Sequence, residues 1–499
     1  MPITGNTHRR RRSWKRWGTG AVLACAAALL ALPMLPERGQ ASAGSAAPST
    51  ITWRPCAGHR NAQCGTLPVP VDWAAPGKTF KLEVARRKAT NPAKRIGVLL
   101  VNPGGPGGSG VDMALGSQFP AELRERFDIV GFDPRGIGRS HPIKCSKRLI
   151  DNAPGELPRN QREFERLVSH NRELRQDCRR HSGPLFDHAD TLSVVRDMEA
   201  LRAALGEEKI NYFGHSYGTL IGQQYAEKFG GRIRSMVLDS NMDHSLQTKD
   251  LAVTAAAAVE DSLKEFVRWC ETTPTCALHG QNVLLRWDRL LAAADRGALY
   301  ESNAPVSADD IIGRAYEAFS SGPPEWPQLA KWLTTLRIGR PHPQGDAPRT
   351  RQAPGTEPHG RDAVFCQDWQ ARIHDYRELH ALVRAERAAA PHARTSPEMR
   401  EAILSCIGWP KHANNPQRPV HIGSHAPVIL LANARHDPVT GYAWARNVQK
   451  QAQKKIRLLT YDGWGHGAIG TKCTMNAVNN YLIHRSLPRP DAGCPASQN

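Results

Sequence analysis

Residues 210–229 read INYFGHSYGTLIGQQYAEKF. Ile210–Gly214 is a short apolar run of strand character. Ser216 follows between Gly214 and Gly218 in a G-x-S-x-G pattern, and a helix-like stretch runs from Ser216 to about Phe229, where Gly230-Gly231 stop it. A strand passing into a helix at a serine between two glycines predicts a strained turn that lifts the hydroxyl above the end of a sheet. The helix N-terminus adds its dipole and free N–H groups where negative charge would develop. Ser216 is therefore the candidate nucleophile.

The same alternation extends in both directions. Arg95–Asn102 (RIGVLLVN) and Phe127–Asp133 (FDIVGFD) read as strands, and Ser235–Asp239 (SMVLD) lacks polar alternation, as a parallel strand buried on both faces does. Leu192, Val195, Met198, Leu201 and Leu205 recur at helical spacing, closed by Gly206. Toward the C-terminus, Ala426–Asn433 and Ile456–Tyr461 are strands and Cys473–Ile483 is a closing helix. Strands alternating with helices predict an α/β fold with a doubly wound, mostly parallel sheet. Between Asn241 and Ser424 the strand pattern gives way to Ala-rich helical segments (Leu251–Val267, Val283–Asp295, Ala308–Phe319, Tyr376–Ala389), and 341–362 is a Pro/Gly/Arg-rich loop or linker. The expected domains are a leader over 1–43, the first part of the core over 44–240, an inserted helical cap over 241–424, and the rest of the core over 425–499. No internal repeat is visible.

The leader has the form of an export signal. Arg9–Arg16 are basic, Gly18–Leu35 are apolar but short for a membrane span, and Ala41-Ser42-Ala43 is a small-residue cleavage site. Cys25 leaves with it, and a further propeptide over 44–52 stays open. The mature chain is expected to be secreted, to be a monomer, and not to insert stably in a membrane. The 499-residue chain carries a net charge of +19, of which residues 1–43 hold six. The remainder is scattered, with no basic run interleaved with aromatics, which argues against nucleic acid as a partner. Ten cysteines remain: Cys56, Cys64, Cys145, Cys178, Cys270, Cys276, Cys366, Cys406, Cys473 and Cys494. An even number without CxxC reads as disulfides in an oxidising compartment, and pairing chain neighbours is the simplest of many connectivities. No metal or organic cofactor is implied.

A serine nucleophile needs a base, and the base an orienting acid. Asp437 follows strand Ala426–Asn433 and His466 follows strand Ile456–Tyr461, so both fall on loops at strand C-terminal ends, where doubly wound folds keep their sites. Asp239, at the end of Ser235–Asp239, is the rival acid, otherwise a cap on that strand edge. His215 and His436 are rival bases, otherwise packing beside the site. The oxyanion donors expected are the Tyr217 N–H and one from the Gly-rich loop after Asn102, Gly105 first and Gly104 next. That loop lacks the G-K-[ST] ending of a phosphate-binding loop.

NPGGPGGSG (102–110), FDPRGIGRS (132–140), GHSYG (214–218), HDPVT (436–440) and GWGHG (463–467) together resemble the secreted tripeptidyl aminopeptidases of the α/β-hydrolase superfamily, relatives of proline iminopeptidases with a TAP-like C-terminal segment. Cys64–Asp72, Cys366-Gln367-Asp368 and Cys406–Pro410 resemble further parts of that family. Asn102-Pro103 stands where the wider family often has His-Gly, as in the tripeptidyl branch. The resemblance implies a triad of Ser216, Asp437 and His466 and hydrolysis of peptide or protein substrates through an acyl-enzyme. An aminopeptidase must also read a free α-ammonium, for which a buried carboxylate is suited. Asp368 is the first candidate and Glu227 the second. A carboxylesterase with the same triad, or a proline iminopeptidase, is the alternative. The charged, unbroken-by-apolar-run character of 241–424 disfavours a lipase.

Overall fold

In the computed structural model, the residues described are 50–116, 119–155, 157–340, 355–410 and 413–496. The leader and most of the 341–362 loop fall outside them. Ten strands form the main sheet: β1 Thr52–Pro55, β2 Ala62–Pro70, β3 Thr79–Arg87, β4 Gly97–Asn102, β5 Phe127–Phe132, β6 Ile210–His215, β7 Ile233–Asp239, β8 Ile429–His436, β9 Ile456–Trp464 and β10 Gly493–Pro495. Their order across the sheet is β1-β2-β3-β5-β4-β6-β7-β8-β9-β10. The β1–β2, β2–β3 and β3–β5 pairings are antiparallel, and every pairing from β5 to β10 is parallel.

Side-chain alternation explains how the parallel strands are covered. Along β4, Leu100 faces a core with Met198, Leu201, Ile221 and Val448 from the helices Thr191–Ala204, Tyr217–Phe229 and Tyr442–Ala452. Its neighbour Leu99 faces the opposite layer, with Ala114, Leu123, Val478 and Leu482. Strands buried on both faces have no solvent side on which to place polar residues, hence the unbroken apolar runs. Asp190 caps Thr191–Ala204 by accepting the Ser193 N–H, and Gly206, at φ 72°, takes up the left-handed turn that ends it.

The FDPRGIGRS segment is locked by a buried ion pair. Arg135 donates to both carboxylate oxygens of Asp197 at 2.7 and 2.8 Å and to the carbonyls of Pro70, Val71 and His188. Both side chains are fully buried, so removing either partner would strand a charge in the interior.

Between β7 and β8 the chain is mostly helical, beginning with the long helix Thr248–Thr272. Short strands also occur there. Leu299–Glu301 pairs with Ala304–Pro305 and Arg337–Ile338, and Thr356–Pro358, inside the expected loop, pairs with Lys144–Ser146. Runs of two or three residues carry no alternation, which is why they escape notice in the sequence. The helical layer is not drawn from the 241–424 stretch alone. Helix Gln161–Ser182, which precedes β6, packs its Phe164 and Leu167 against Leu379, Leu382 and Ile403.

All ten cysteines stand in five pairs at disulfide distance: Cys56–Cys64, Cys145–Cys178, Cys270–Cys276, Cys366–Cys406 and Cys473–Cys494. Among the described residues no helix is long and apolar enough to cross a membrane, and no cluster of His, Cys, Asp and Glu is arranged to hold a metal ion.

Candidate active site

Ser216 sits between β6 and the helix Tyr217–Phe229 with φ 55° and ψ −125°, a left-handed conformation costing on the order of 1–3 kcal/mol for a non-glycine residue. The surroundings hold it there. Its N–H donates to the Asp239 carbonyl at 2.9 Å, and its carbonyl accepts from the Thr219 N–H and hydroxyl. The flanking glycines are required by close approach: a Cβ on Gly214 would come within 2.4 Å of the Gly218 carbonyl oxygen, and one on Gly218 within 2.7 Å of the Asn102 carbonyl oxygen.

Asp437 and His466 meet on the loops after β8 and β9. His466 Nδ1 lies 3.1 and 3.2 Å from the two Asp437 carboxylate oxygens. Asp437 is fully buried and also accepts from Val439 N–H, Thr440 N–H and the Thr440 hydroxyl. Burial pushes the Asp437 carboxyl up, but His466 and these donors outweigh it and hold it below its ordinary value. For His466, burial opposes the charge, yet Asp437, with Glu398 and Asp239 beyond it, brings the imidazole above its ordinary value of 6.5.

The loop bearing His466 is tied to the serine turn. The His215 ring lies 4.6 Å from the His466 ring, centroid to centroid. Asp239 receives His215 Nδ1 on one oxygen and the Ala468 N–H on the other, so it braces the His466 loop and does not face the His466 ring nitrogen. His436 turns away from Ser216, with Nδ1 2.7 Å from Asp261 and its ring stacked on Trp464.

The Gly-rich loop lies against the start of the serine helix. A Cβ on Gly104 would fall 2.4 Å from the His215 carbonyl oxygen and 2.6 Å from Tyr217 N, so only glycine fits there. The Gly104 N–H is already engaged, donating to the Asn102 side-chain oxygen at 2.9 Å. The Tyr217 N–H, first in its helix, has no carbonyl one turn back to receive it.

The two residues expected to read a substrate amine are otherwise occupied. Asp368 is completely buried and accepts from Thr191 N–H, the Thr191 hydroxyl, the Tyr217 hydroxyl and Asn415 Nδ2. Burial, with Asp190 nearby, pushes it up to about 7 against the pull of those donors. It acts on the site indirectly, by anchoring the Tyr217 ring. Glu227 forms a two-pronged pair with Arg418 at 2.7 and 2.8 Å and accepts the His421 N–H. It fastens its helix to the segment entering β8. A sequence shows that a carboxylate exists, not that four donors already surround it.

The structure brings a different carboxylate to the site. Helix Ala308–Ser321 supplies Ser320, whose carbonyl accepts the His466 N–H at 2.7 Å, and Tyr316, whose hydroxyl donates to Glu398 at 2.8 Å. Glu398 keeps part of its side chain in solvent and faces Arg361 at 3.5 Å. Neither Glu398 nor Arg361 belongs to a motif, so nothing in the sequence singled them out.

A serine on a strained strand-to-helix turn, with an Asp–His pair on the loops after β8 and β9, is the layout of one large class of hydrolases. Residues 97–472 match the family described as alpha/beta hydrolase fold, and the chain belongs to it. It is a hydrolase of the serine type. It is 29% identical to Serine protease Hip1 of Mycobacterium tuberculosis, over 89% of this chain and 91% of that one. It is also 29% identical to the tripeptidyl aminopeptidase of Streptomyces lividans, over 98% and 91%. A third relative, Carboxylesterase B of Mycobacterium tuberculosis, is 30% identical over 87% and 86%.

Proposed function

We propose that this chain is a secreted serine exopeptidase that releases short peptides, tripeptides foremost, from free N-termini through a Ser216–His466–Asp437 triad. The observation that carries the reading is the buried Asp437–His466 pair tied to the strained Ser216 turn, in a chain with two peptidases among its relatives. The part-exposed Glu398 carboxylate near His466 supports a substrate with a cationic end. Five disulfides and the leader support export, and the helical layer between β7 and β8 serves as the cap.

In this mechanism His466 accepts the Ser216 hydroxyl proton as Ser216 Oγ attacks the scissile carbonyl carbon. The oxyanion is held by the Tyr217 and Gly105 N–H groups, while Asp437 fixes the imidazole tautomer and stabilises the imidazolium. His466 then gives the proton to the leaving amine. Water, deprotonated in turn by His466, hydrolyses the acyl-enzyme, releases the peptide carboxylate and restores Ser216.

The relative named a carboxylesterase favours a second reading, an esterase with the same triad. Purified enzyme and its Ser216→Ala variant, assayed on a free-amine tripeptide anilide, its N-acetylated twin, a proline anilide and a short-chain nitrophenyl ester, separate the two. Cleavage of the free tripeptide alone, lost in the variant, is the expected result. If acetylation made no difference and the ester dominated, the esterase reading would replace this one.

A further inference from the structure

Helix Gly360–Asp368 belongs to the helical layer, yet its last residue reaches the start of the serine helix. Val364 shares a narrow cleft with Gly104, Gly107 and Tyr217, so the helix runs along the oxyanion side of the site. On its far side it borders a cavity of about 490 Å³, whose lining includes none of Ser216, Asp437 and His466. Packing from behind therefore does not press the helix onto the cleft. Its position there depends on hydrogen bonds.

Those bonds converge on Asp368. The hydroxyls of Tyr217 and Thr191 each donate to its Oδ2 at 2.5 Å, while Oδ1 accepts the Thr191 N–H at 3.0 Å and Asn415 Nδ2 at 2.7 Å. All four residues are buried, so water cannot replace a lost partner. Thr191 opens the helix Thr191–Ala204, where a carboxylate is favoured by the free N–H groups and the dipole. Asn415 also exchanges two hydrogen bonds with Gln224, two turns along the serine helix from Tyr217. The serine helix is thus gripped at two points, at Tyr217 directly and at Gln224 through Asn415.

Tyr217 is held at both ends. Its backbone leaves the Ser216 turn, whose φ of 55° persists only where the surroundings enforce it, and its ring packs on Trp369 with its hydroxyl on Asp368. We propose that Asp368 is a positioning residue for the oxyanion hole: by fixing the Tyr217 hydroxyl it sets where the Tyr217 N–H points. The helical layer is then required for the chemical step itself, and on every acyl substrate, small esters included. The inference rests on the triad part of the reading above and not on its preference for free N-termini. An oxyanion donor acts on charge that develops only in the transition state, so misaiming it costs kcat and leaves KM nearly unchanged.

The test measures kcat and KM on the tripeptide anilide and the short-chain nitrophenyl ester for wild type, Tyr217→Phe, Asp368→Asn, Asp368→Ala and the double variant Asp368→Ala/Tyr217→Phe, with Ser216→Ala as the blank. Tyr217→Phe and Asp368→Ala should each lower kcat roughly tenfold or more on both substrates, with KM within about twofold; a donor lost outright costs about 100–1,000-fold. The double variant should lose no more than Asp368→Ala, because both changes break one link. Asp368→Asn can still accept from the Thr191 and Asn415 N–H groups and donate to the Tyr217 hydroxyl, so it should recover most of the lost kcat. Where Asp368→Ala does not fold, a slow Tyr217→Phe beside an active Asp368→Asn carries the result. A wild-type kcat in Tyr217→Phe, losses borne by KM, or losses that multiply in the double variant would overturn the assignment. Activity surviving in Ser216→Ala would remove the triad reading and this inference together, whereas an ester preferred over the free tripeptide would remove only the exopeptidase reading.

Discussion

Asp239 Oδ2 lies 3.1 Å from His215 Nδ1, while Asp437, at the end of the neighbouring strand, faces His466. Two carboxylates on adjacent strand ends thus each hold a histidine, and the two rings touch. Only one pair can be the catalytic couple. Asp437→Asn should lower kcat about 10⁴-fold, because an amide cannot hold the required tautomer. Asp239→Asn loosens only the His466 loop and should cost no more than about 100-fold. Turnover of both variants, with circular dichroism to show they are folded, decides it; equal losses would give Asp239 a place in the triad.

The pH profile follows from the groups around His466. In the proposed mechanism His466 is the base and must be neutral. Burial lowers its proton affinity, but Asp437, Glu398 and Asp239 raise it further, and the imidazole ends above 6.5. The acid limb of kcat/KM should therefore rise with pH through a midpoint above 6.5, and Asp437→Asn should shift that midpoint down. A wild-type midpoint below 6.5 would contradict this balance.

Gly104 offers a test of the oxyanion side. Its φ is 84°, and an added Cβ would collide with the His215 carbonyl and Tyr217 N. Gly104→Ala should reduce kcat by about 100-fold or more, the scale of a lost oxyanion donor. Steady-state kinetics on the tripeptide anilide would show it, and an unchanged kcat would exclude this approach of loop to helix.

Disulfide loops differ in length and should differ in effect. Cys366–Cys406 closes 40 residues and ties helix Gly360–Asp368 to helix Pro397–Cys406, whereas Cys270–Cys276 closes 6. In the chain-entropy description, losing the first costs about 4 kcal/mol and the second about 2 kcal/mol. Urea unfolding of the paired Cys→Ser variants measures the difference.

Much of this enzyme is written locally. The strands β4 to β9 announce themselves because burial on both faces forces unbroken apolar runs. Gly214 and Gly218 mark a turn that no other residue fits, and Asp437 and His466 are visible as polar residues just past such strands. Each of these features needs only near neighbours along the chain, so sequence alone determined the class of fold, the strand-to-helix turn at Ser216 and the order of its candidate partners along the chain.

What tertiary structure alone decided is which carboxylate is spent and which is open. Asp368 and Glu398 look alike in sequence, but Thr191, Tyr217 and Asn415 converge on Asp368 from distant segments and bury it, whereas Glu398, held by Tyr316 and Arg361, keeps part of its side chain in solvent. The cavity behind helix Gly360–Asp368 is likewise built from segments more than a hundred residues apart. The availability of a charge, and the shape of an empty space, depend on which long-range donors and walls arrive there, and no local pattern encodes that.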